Sequence, residues 1–325
     1  MSTEAATHED LLTDVRDEIA KVIVGQDSVV DGLLVALIVG GHALLEGVPG
    51  TAKTLLATTL AATLDLDVRR VQFTPDLMPS DLIGRVIYRQ ETGQFAFHEG
   101  PLFTNLLIGD EINRTPPKTQ AALLEAMQER QVSVEGHTRE LPQPFLVVAT
   151  QNPVEYEGTY PLPEAQLDRF MVRTSFGYPS SNDEWDVLQR RMQRRREEQD
   201  LRQVTDASQL TSMQQAVERV TVDESVGRYC VALTTATRSH PHVLMGASPR
   251  GALGLLLTSR ALAIIAGRDY VTPEDVKAIA DPVLAHRITV KPEMWMSQIS
   301  GHTVVDDVVS TVPTPATLEP SRDQP

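Results

Sequence analysis

Apolar residues recur at helical spacing from Leu11 to Val22 and again from Ser28 to Val39, with Val24-Gly25-Gln26-Asp27 punctuating between the two runs. The period then shortens. Leu44 and Leu45 open an apolar strand that runs into a glycine turn and the helix-forming stretch Leu55 to Ala62. Val68 to Phe73 reads as a strand, and Thr74 to Gly84 as a polar loop holding Pro75 and Pro79. Val86 to Tyr88 and Gln94 to Phe97, joined by a turn containing Glu91-Thr92-Gly93, read as a hairpin. Leu106 to Gly109 is wholly apolar, the mark of a strand buried on both faces. Pro116 and Pro117, tolerated in a first turn, start a helix that continues to about Arg130. A second hairpin joins Gln131 to Val134 with Thr138 to Leu141, and Phe145 to Thr150 is another buried strand. Strands alternating with helices predict an α/β fold with a parallel sheet covered on both faces.

After Pro179 the pattern becomes helical only. Asn182 is placed to cap a helix that carries Asp183 and Glu184 in its first turn, and further runs cover Gln209–Arg219, Asp223–Ser239, Pro249–Ala266 and Pro273–Ala285. The expected organisation is a nucleotide-binding α/β domain over residues 1–179, a small all-α domain over 180–300 and a disordered tail over 301–325, where Thr-Pro repeats and acids replace apolar density.

Two segments carry the chemistry. The run Gly47-Val48-Pro49-Gly50-Thr51-Ala52-Lys53-Thr54 approaches the phosphate-loop pattern G-x-x-x-x-G-K-[ST], with alanine at the second glycine position. Backbone N–H groups of such a turn and the following helix N-terminus surround a polyphosphate; a lysine adds a point charge, and a hydroxyl suits magnesium. The alanine is tolerable if Ala52 takes an ordinary helical conformation. Alone, the segment also fits an unrelated glycine turn before a helix. The second segment ends a buried strand in Asp110-Glu111, which fits a magnesium-binding Asp110 and a Glu111 that orients or deprotonates water. Together the two point to nucleotide hydrolysis.

Longer motifs sharpen this. Gly109-Asp110-Glu111-Ile112-Asn113-Arg114-Thr115-Pro116-Pro117-Lys118-Thr119-Gln120 and its continuation to Glu129, Ala149-Thr150-Gln151-Asn152-Pro153, and Glu157-Gly158-Thr159-Tyr160-Pro161 through Phe170 closely resemble the signatures of the MoxR family of AAA+ ATPases. The likeness spans about Val22 to Ile288, and Ala52 is common in that family. It implies an AAA+ core with a helical lid and, as cofactors, ATP and magnesium. Asn152 matches the polar sensor that contacts water or the γ-phosphate, Arg169 the arginine finger of a neighbouring subunit, and Arg250 the second sensor on the lid. The nucleotide-binding set is then Val24, Gly25, Gly47, Val48, Pro49, Gly50, Thr51, Ala52, Lys53, Thr54 and Leu55, with Thr54 and Asp110 as metal ligands. The two hairpins match insertions of the helix-2-insert branch and would face a pore; Tyr88, Phe95 and Phe97 could grip a client or simply pack. The resemblance further implies a ring, typically a hexamer, a partner with a von Willebrand factor A domain, a protein client, and assembly or metal-cofactor insertion as the work done.

Composition narrows the alternatives. The 325 residues are 41% hydrophobic, enough for more than one average domain, and the net charge of −15 disfavours general polyanion binding. A nucleic-acid motor of the same branch is therefore the weaker reading, and the intact set Lys53, Asp110, Glu111, Asn152 and Arg169 argues against a scaffold that binds ATP without turnover. Arg190-Arg191 and Arg194-Arg195-Arg196 are followed by Glu197, Glu198 and Asp200, the pattern of a salt-bridged helix face or subunit contact. The single Cys230 leaves no intrachain disulfide and suits a reducing, cytoplasmic setting, and Met1 to Asp10 has no signal-peptide pattern. The eight histidines show no metal-ligand spacing, and the longest apolar stretch, broken by Gly40, Gly41 and His42, is too short to span a bilayer.

Overall fold

The computed structural model describes residues 3–48, 50–91, 93–153, 158–196, 199–294, 297 and 299–316. The chain divides into two compact units, one of residues 11–213 and one of residues 1–10 with 214–325. The first unit thus runs beyond the boundary at 179 expected from sequence.

Five strands build the sheet of that first unit: β1 (Ala43–Gly47), β2 (Val68–Gln72), β3 (Leu106–Asp110), β4 (Leu146–Gln151) and β5 (Val172–Phe176). They lie in the order β5-β1-β4-β3-β2, every neighbouring pair parallel. All residues of β1 and β3 are buried, the apolar ones against the helices on both faces, and the buried Glu46 of β1 is paired with Arg173 of β5 at 2.6 Å. Helix Pro117–Glu129 sends Leu123, Leu124 and Met127 into a core with Leu44, Phe73, Leu107, Val147 and Phe170. Helices Asp27–Val39 and Lys53–Thr63 meet the sheet through residues such as Leu33, Leu37 and Leu60, beside Leu106, Leu146 and Val148.

Both expected hairpins form, as Gly84–Arg89 with Gln94–Glu99 and Gln131–Val134 with His137–Glu140. Arg139 of the second stacks its guanidinium over the Phe97 ring of the first, 4.1 Å from the centroid, which joins the two insertions. Tyr88 and Phe95 remain exposed and face each other at 5.2 Å.

Several boundaries differ from the sequence reading. The first helix spans Thr3–Ala20, and the loop after β2 contains a short helix, Pro79–Ile83. The helix expected to start at Asn182 is instead capped by Ser180, because Asp183 sits at the third position and closes a reciprocal capping box. β5 was not anticipated, since Val172-Arg173-Thr174-Ser175-Phe176 places polar side chains on the sheet's outer edge strand. The part beyond Pro179 is also not purely helical: Val243–Met245 pairs with Thr289–Val290, and Thr205–Asp206 with Leu64–Asp65.

In the second unit, helices Glu224–Ser239, Pro249–Ile265 and Pro273–Leu284 are capped by Asp223, Ser248 and Thr272. A fourth helix, Gly301–Thr311, replaces the disorder expected from residue 301. Its Val304, Val305 and Val308 are buried, Ser300 caps it, and Asp307 meets His240 Nε2 at 2.9 Å. Residues 317–325 of the expected tail lie outside the described residues. Cys230 is buried and its thiol is pushed up to about 11 by that burial, which leaves it an unreactive core filler.

His42, at the foot of β1, accepts the Val147 N–H on Nδ1 at 3.0 Å, so its proton sits on Nε2, 3.1 Å from the Met127 carbonyl oxygen. Burial lowers its pKa from 6.5 to about 4. The unfolded chain therefore takes up a proton below pH 6.5 that the fold refuses, and stability falls as pH drops from 6.5 toward 4. This residue alone should make the first unit about 2 kcal/mol less stable at pH 5 than at pH 7.5. Urea unfolding at the two pH values, with His42→Gln alongside, checks it: an equal acid loss in the variant would assign the effect elsewhere.

Candidate nucleotide site

Loops at the carboxyl ends of parallel strands converge, and β1, β3 and β4 here deliver the phosphate loop, the acid pair and Asn152 to the same edge of one sheet. In the loop, Gly47 has φ +156 and a Cβ there would lie 2.9 Å from both Phe176 Cβ and Thr51 Oγ1, so only glycine fits. Gly50, at φ +83, has open space around it and is needed for its backbone alone. Ala52 does not meet the condition of an ordinary helical conformation: φ 65, ψ 20 puts it in the left-handed region at a cost of about 1 kcal/mol. That is the conformation which makes glycine usual at this place. Lys53 Nζ donates to the Gly47 carbonyl at 2.5 Å and to that of Val48 at 2.8 Å, which holds the ammonium over the loop. Pro49 lies outside the described residues.

The acids are equally well placed. Asp110 is 2% exposed, and its Oδ1 accepts from Thr54 Oγ1 at 2.7 Å and from Thr150 Oγ1 at 3.3 Å. Its Oδ2 meets Arg70 Nε at 2.6 Å. Glu111 has φ 56, ψ 51, a strained conformation that swings its backbone out of the strand, and its N–H donates to Thr150 Oγ1 at 3.0 Å. The Glu111 carboxylate accepts from Gln72 Nε2 at 2.8 Å and pairs with Arg114 Nε at 3.2 Å. The edge strand β2 therefore touches both acids, Arg70 holding Asp110 and Gln72 holding Glu111. Nothing in the sequence assigned Arg70, Gln72 or Thr150 a place at the site; the parallel register of β2 on β3, with Gln72 opposite Asp110, brings the first two there, and that of β4 on β3, with Ala149 opposite Gly109, brings Thr150.

A hydroxyl and a carboxylate 2.7 Å apart beside a phosphate loop suit a hard, oxygen-seeking cation. Among the described residues no group of three or more His, Cys, Asp or Glu could hold a metal, so Thr54 and Asp110 fit magnesium only if phosphate oxygens and water complete its shell. A cavity of about 470 Å³ adjoins the loop, with Val24, Leu55, Tyr178, Val187 and Leu188 in its wall. That volume and lining suit a purine. Gly25 is not in the wall; its φ of +69 and a would-be Cβ 2.5 Å from Asp183 Oδ2 explain the glycine by turn geometry instead.

Asn152 follows β4, is buried, and accepts a hydrogen bond from Asn113 Nδ2 on its backbone carbonyl at 3.0 Å. Arg169 precedes β5, whose Val172 is opposite Ala43 at the start of β1, whereas Phe176 is opposite Gly47 at its end. A five-residue strand is ~16 Å long, so Arg169 sits at the other end of the sheet from its own phosphate loop. The side chain is half-buried, and among the described residues no ion pair engages it. Arg250 lies in the second unit, exposed on the first turn of helix Pro249–Ile265. Glu157 of the long motif lies outside the described residues.

Residues 42–172 match the ATPase family associated with various cellular activities (AAA), and residues 235–308 match the AAA lid domain. The chain is 43% identical to the chaperone MoxR1 of Mycobacterium tuberculosis over 92% of its own length and 81% of that protein. It is a MoxR-family AAA+ ATPase. Among other MoxR-family relatives, it is 33% identical to the MoxR protein of Methylorubrum extorquens over 94% of this chain and 97% of that one. The YeaC protein of Bacillus subtilis is 45% identical over 94% and 95%. A crystal structure of a Cytophaga hutchinsonii protein, described as a candidate ATPase, superposes with a TM-score of 0.88 at 42% identity over 96% of this MoxR-family chain and 97% of its own. The AAA+ sheet between helices and the helical lid are thus this chain's fold. Among the described residues, no helix is long and apolar enough to cross a membrane.

Proposed function

We propose that the chain binds ATP at the carboxyl edge of the sheet and hydrolyses it within a homo-oligomeric ring, a hexamer by family resemblance, to remodel or assemble other proteins. The observation that carries this reading is the meeting of the Lys53 loop, the Thr54–Asp110 pair and Glu111 at one edge. In it, loop N–H groups and Lys53 bind the phosphates, Thr54 and Asp110 hold magnesium, Glu111 takes a proton from water, and Asn152 orients that water. When bound there, magnesium would supply positive charge against the phosphates. Arg169 serves the neighbour's nucleotide, and Arg250 links nucleotide to lid. The name chaperone carried by MoxR1 supports a remodelling role, and the resemblance extends the proposal to a von Willebrand factor A partner and metal-cofactor insertion.

Hydrolysis followed against protein concentration, with and without magnesium, beside mass determination with ATP, tests the proposal. Specific activity should rise as the ring forms. Magnesium-dependent activity constant per chain in a monomer would sink the ring mechanism.

The Arg70–Asp110 contact adds a quantitative expectation. Arg70 is half exposed, so the pair is worth roughly 0.5–1 kcal/mol, and its guanidinium on Oδ2 puts a positive charge on the same carboxylate whose Oδ1, beside Thr54, would take magnesium. Arg70→Ala should lower the magnesium concentration for half-maximal nucleotide binding by about two- to fivefold. A titration with an unchanged midpoint would show that Arg70 does not compete.

A further inference from the structure

A second cavity, of about 430 Å³, lies behind the base cavity in the same unit and shares Val22, Val24, Leu55 and Val187 with it as a common wall. Its lining also includes Lys21, Arg190, Arg191 and Arg194, and among the described residues no carboxylate belongs to it. The arginine cluster that reads in sequence as a solvated helix face is therefore partly turned into a concave, cationic chamber. We propose that this cavity binds a small phosphorylated metabolite whose body is apolar or aromatic, at a site separate from that of ATP.

The cations are held by their neighbours before any ligand arrives. Lys21 Nζ meets Glu18 at 2.6 Å, and Arg190 is fixed by Asp186 at 2.7 Å and by the Ala20 carbonyl oxygen at 2.6 Å. Arg194 donates to Gln199 Oε1 and to the Arg196 carbonyl oxygen, each at 2.9 Å. Arg191 meets no carboxylate among the described residues. Guanidinium groups already oriented lose little freedom on binding, and their planar fork matches phosphate oxygens two at a time. The helix C-terminus explains why cations gather in this turn. It does not explain why they face an apolar wall of Val22, Leu55 and Val187 across a space within the range of small-ligand sites.

The surroundings favour a small ligand over a polymer. The lining cations Lys21 and Arg190 carry the carboxylates of Glu18 and Asp186 beside them, and Asp200 lies between the lining residues Gln199 and Leu201, so a nucleic-acid strand leaving the cavity would meet carboxylates. Leu55 belongs to the helix that begins at Lys53, so an occupant pressing on the shared wall would alter ATP affinity, and ATP would alter its affinity by the same factor.

Calorimetric titration tests the proposal with phenyl phosphate, inorganic phosphate and a poly-glutamate peptide as probes. The titrated protein is the full Glu111→Gln chain saturated with ATP and magnesium, and separately the Lys53→Ala chain, so that failure of the ATP reading is seen apart from failure of this one. Phenyl phosphate should bind saturably to both and at least tenfold more tightly than inorganic phosphate. Arg191→Gln with Arg194→Gln should weaken it at least tenfold, as should Leu201→Trp, which fills the cavity without removing charge. The proposal is overturned by no saturable binding, by equal affinity for inorganic phosphate, by affinity that survives these substitutions, or by binding of the acidic peptide alone.

Discussion

A Glu111→Gln chain is expected to bind ATP with unchanged affinity and to release phosphate in multiple turnovers at least about 100-fold more slowly, the usual loss when a positioned general base is removed. The structure makes this substitution informative because the side chain's present contacts survive it. A glutamine amide can still pair with Gln72 Nε2, and the lost ion pair with Arg114 joins two partly exposed groups, worth under about 1 kcal/mol. The strained backbone at φ 56 is set by the strand end and the Thr150 hydrogen bond, neither of which involves the carboxylate. Folding and binding should thus persist while proton transfer fails. Turnover at the parent rate would move the base elsewhere; loss of ATP binding as well would make Glu111 a structural residue. Parallel binding and phosphate-release assays on one preparation separate the outcomes.

What the sequence made legible was what local pattern determines. Short apolar runs, Leu44-Leu45 in β1, Leu106 to Gly109 in β3 and Phe145 to Ala149 at β4, marked these strands because a strand buried on both faces is mostly apolar. The phosphate loop and acid pair were legible because their chemistry requires residue types in a fixed order. Strand β5 was not, since an edge strand carrying Arg173 and Ser175 has no such run. Helix Gly301–Thr311 was hidden for a related reason: three valines suffice to bury one short face, too few to offset the surrounding polar residues in a compositional reading. The left-handed Ala52 and Glu111 could not be foreseen from residue type, because alanine and glutamate rarely adopt that region and do so only where surrounding structure imposes it. Arg70 and Gln72 became site residues through strand register, a relation between segments 38 or more residues apart that no local pattern records. Of the cavity beside the phosphate loop, the sequence pointed to Val24 and Leu55 but not to Tyr178 and Leu188, which arrive from beyond β5.

Arg169→Ala should retain ATP binding and ring assembly yet lose turnover by about a thousandfold or more, the range associated with an arginine finger. The reason lies in the register of β5 on β1. Arg169 precedes the strand at the end where Val172 is opposite Ala43, and the phosphate loop departs from the other end, ~16 Å along. An arginine side chain does not cover that distance, so any phosphate it stabilises belongs to another chain. Mixing distinguishes this from a local structural effect. Arg169→Ala chains keep Glu111, and Glu111→Gln chains keep Arg169, so a site is complete wherever the first kind receives the arginine of the second. In a one-to-one mixture assembled at random this holds for about a quarter of the interfaces, and activity should reappear although each variant alone is inactive. An arginine acting within its own subunit gives no such recovery, because every chain in the mixture then carries one defect. Mass measurement of the mixed rings, with one variant isotope-labelled, establishes that subunits have exchanged, so a mixture that has exchanged and stays inactive would refute the assignment of Arg169 to the neighbour's site.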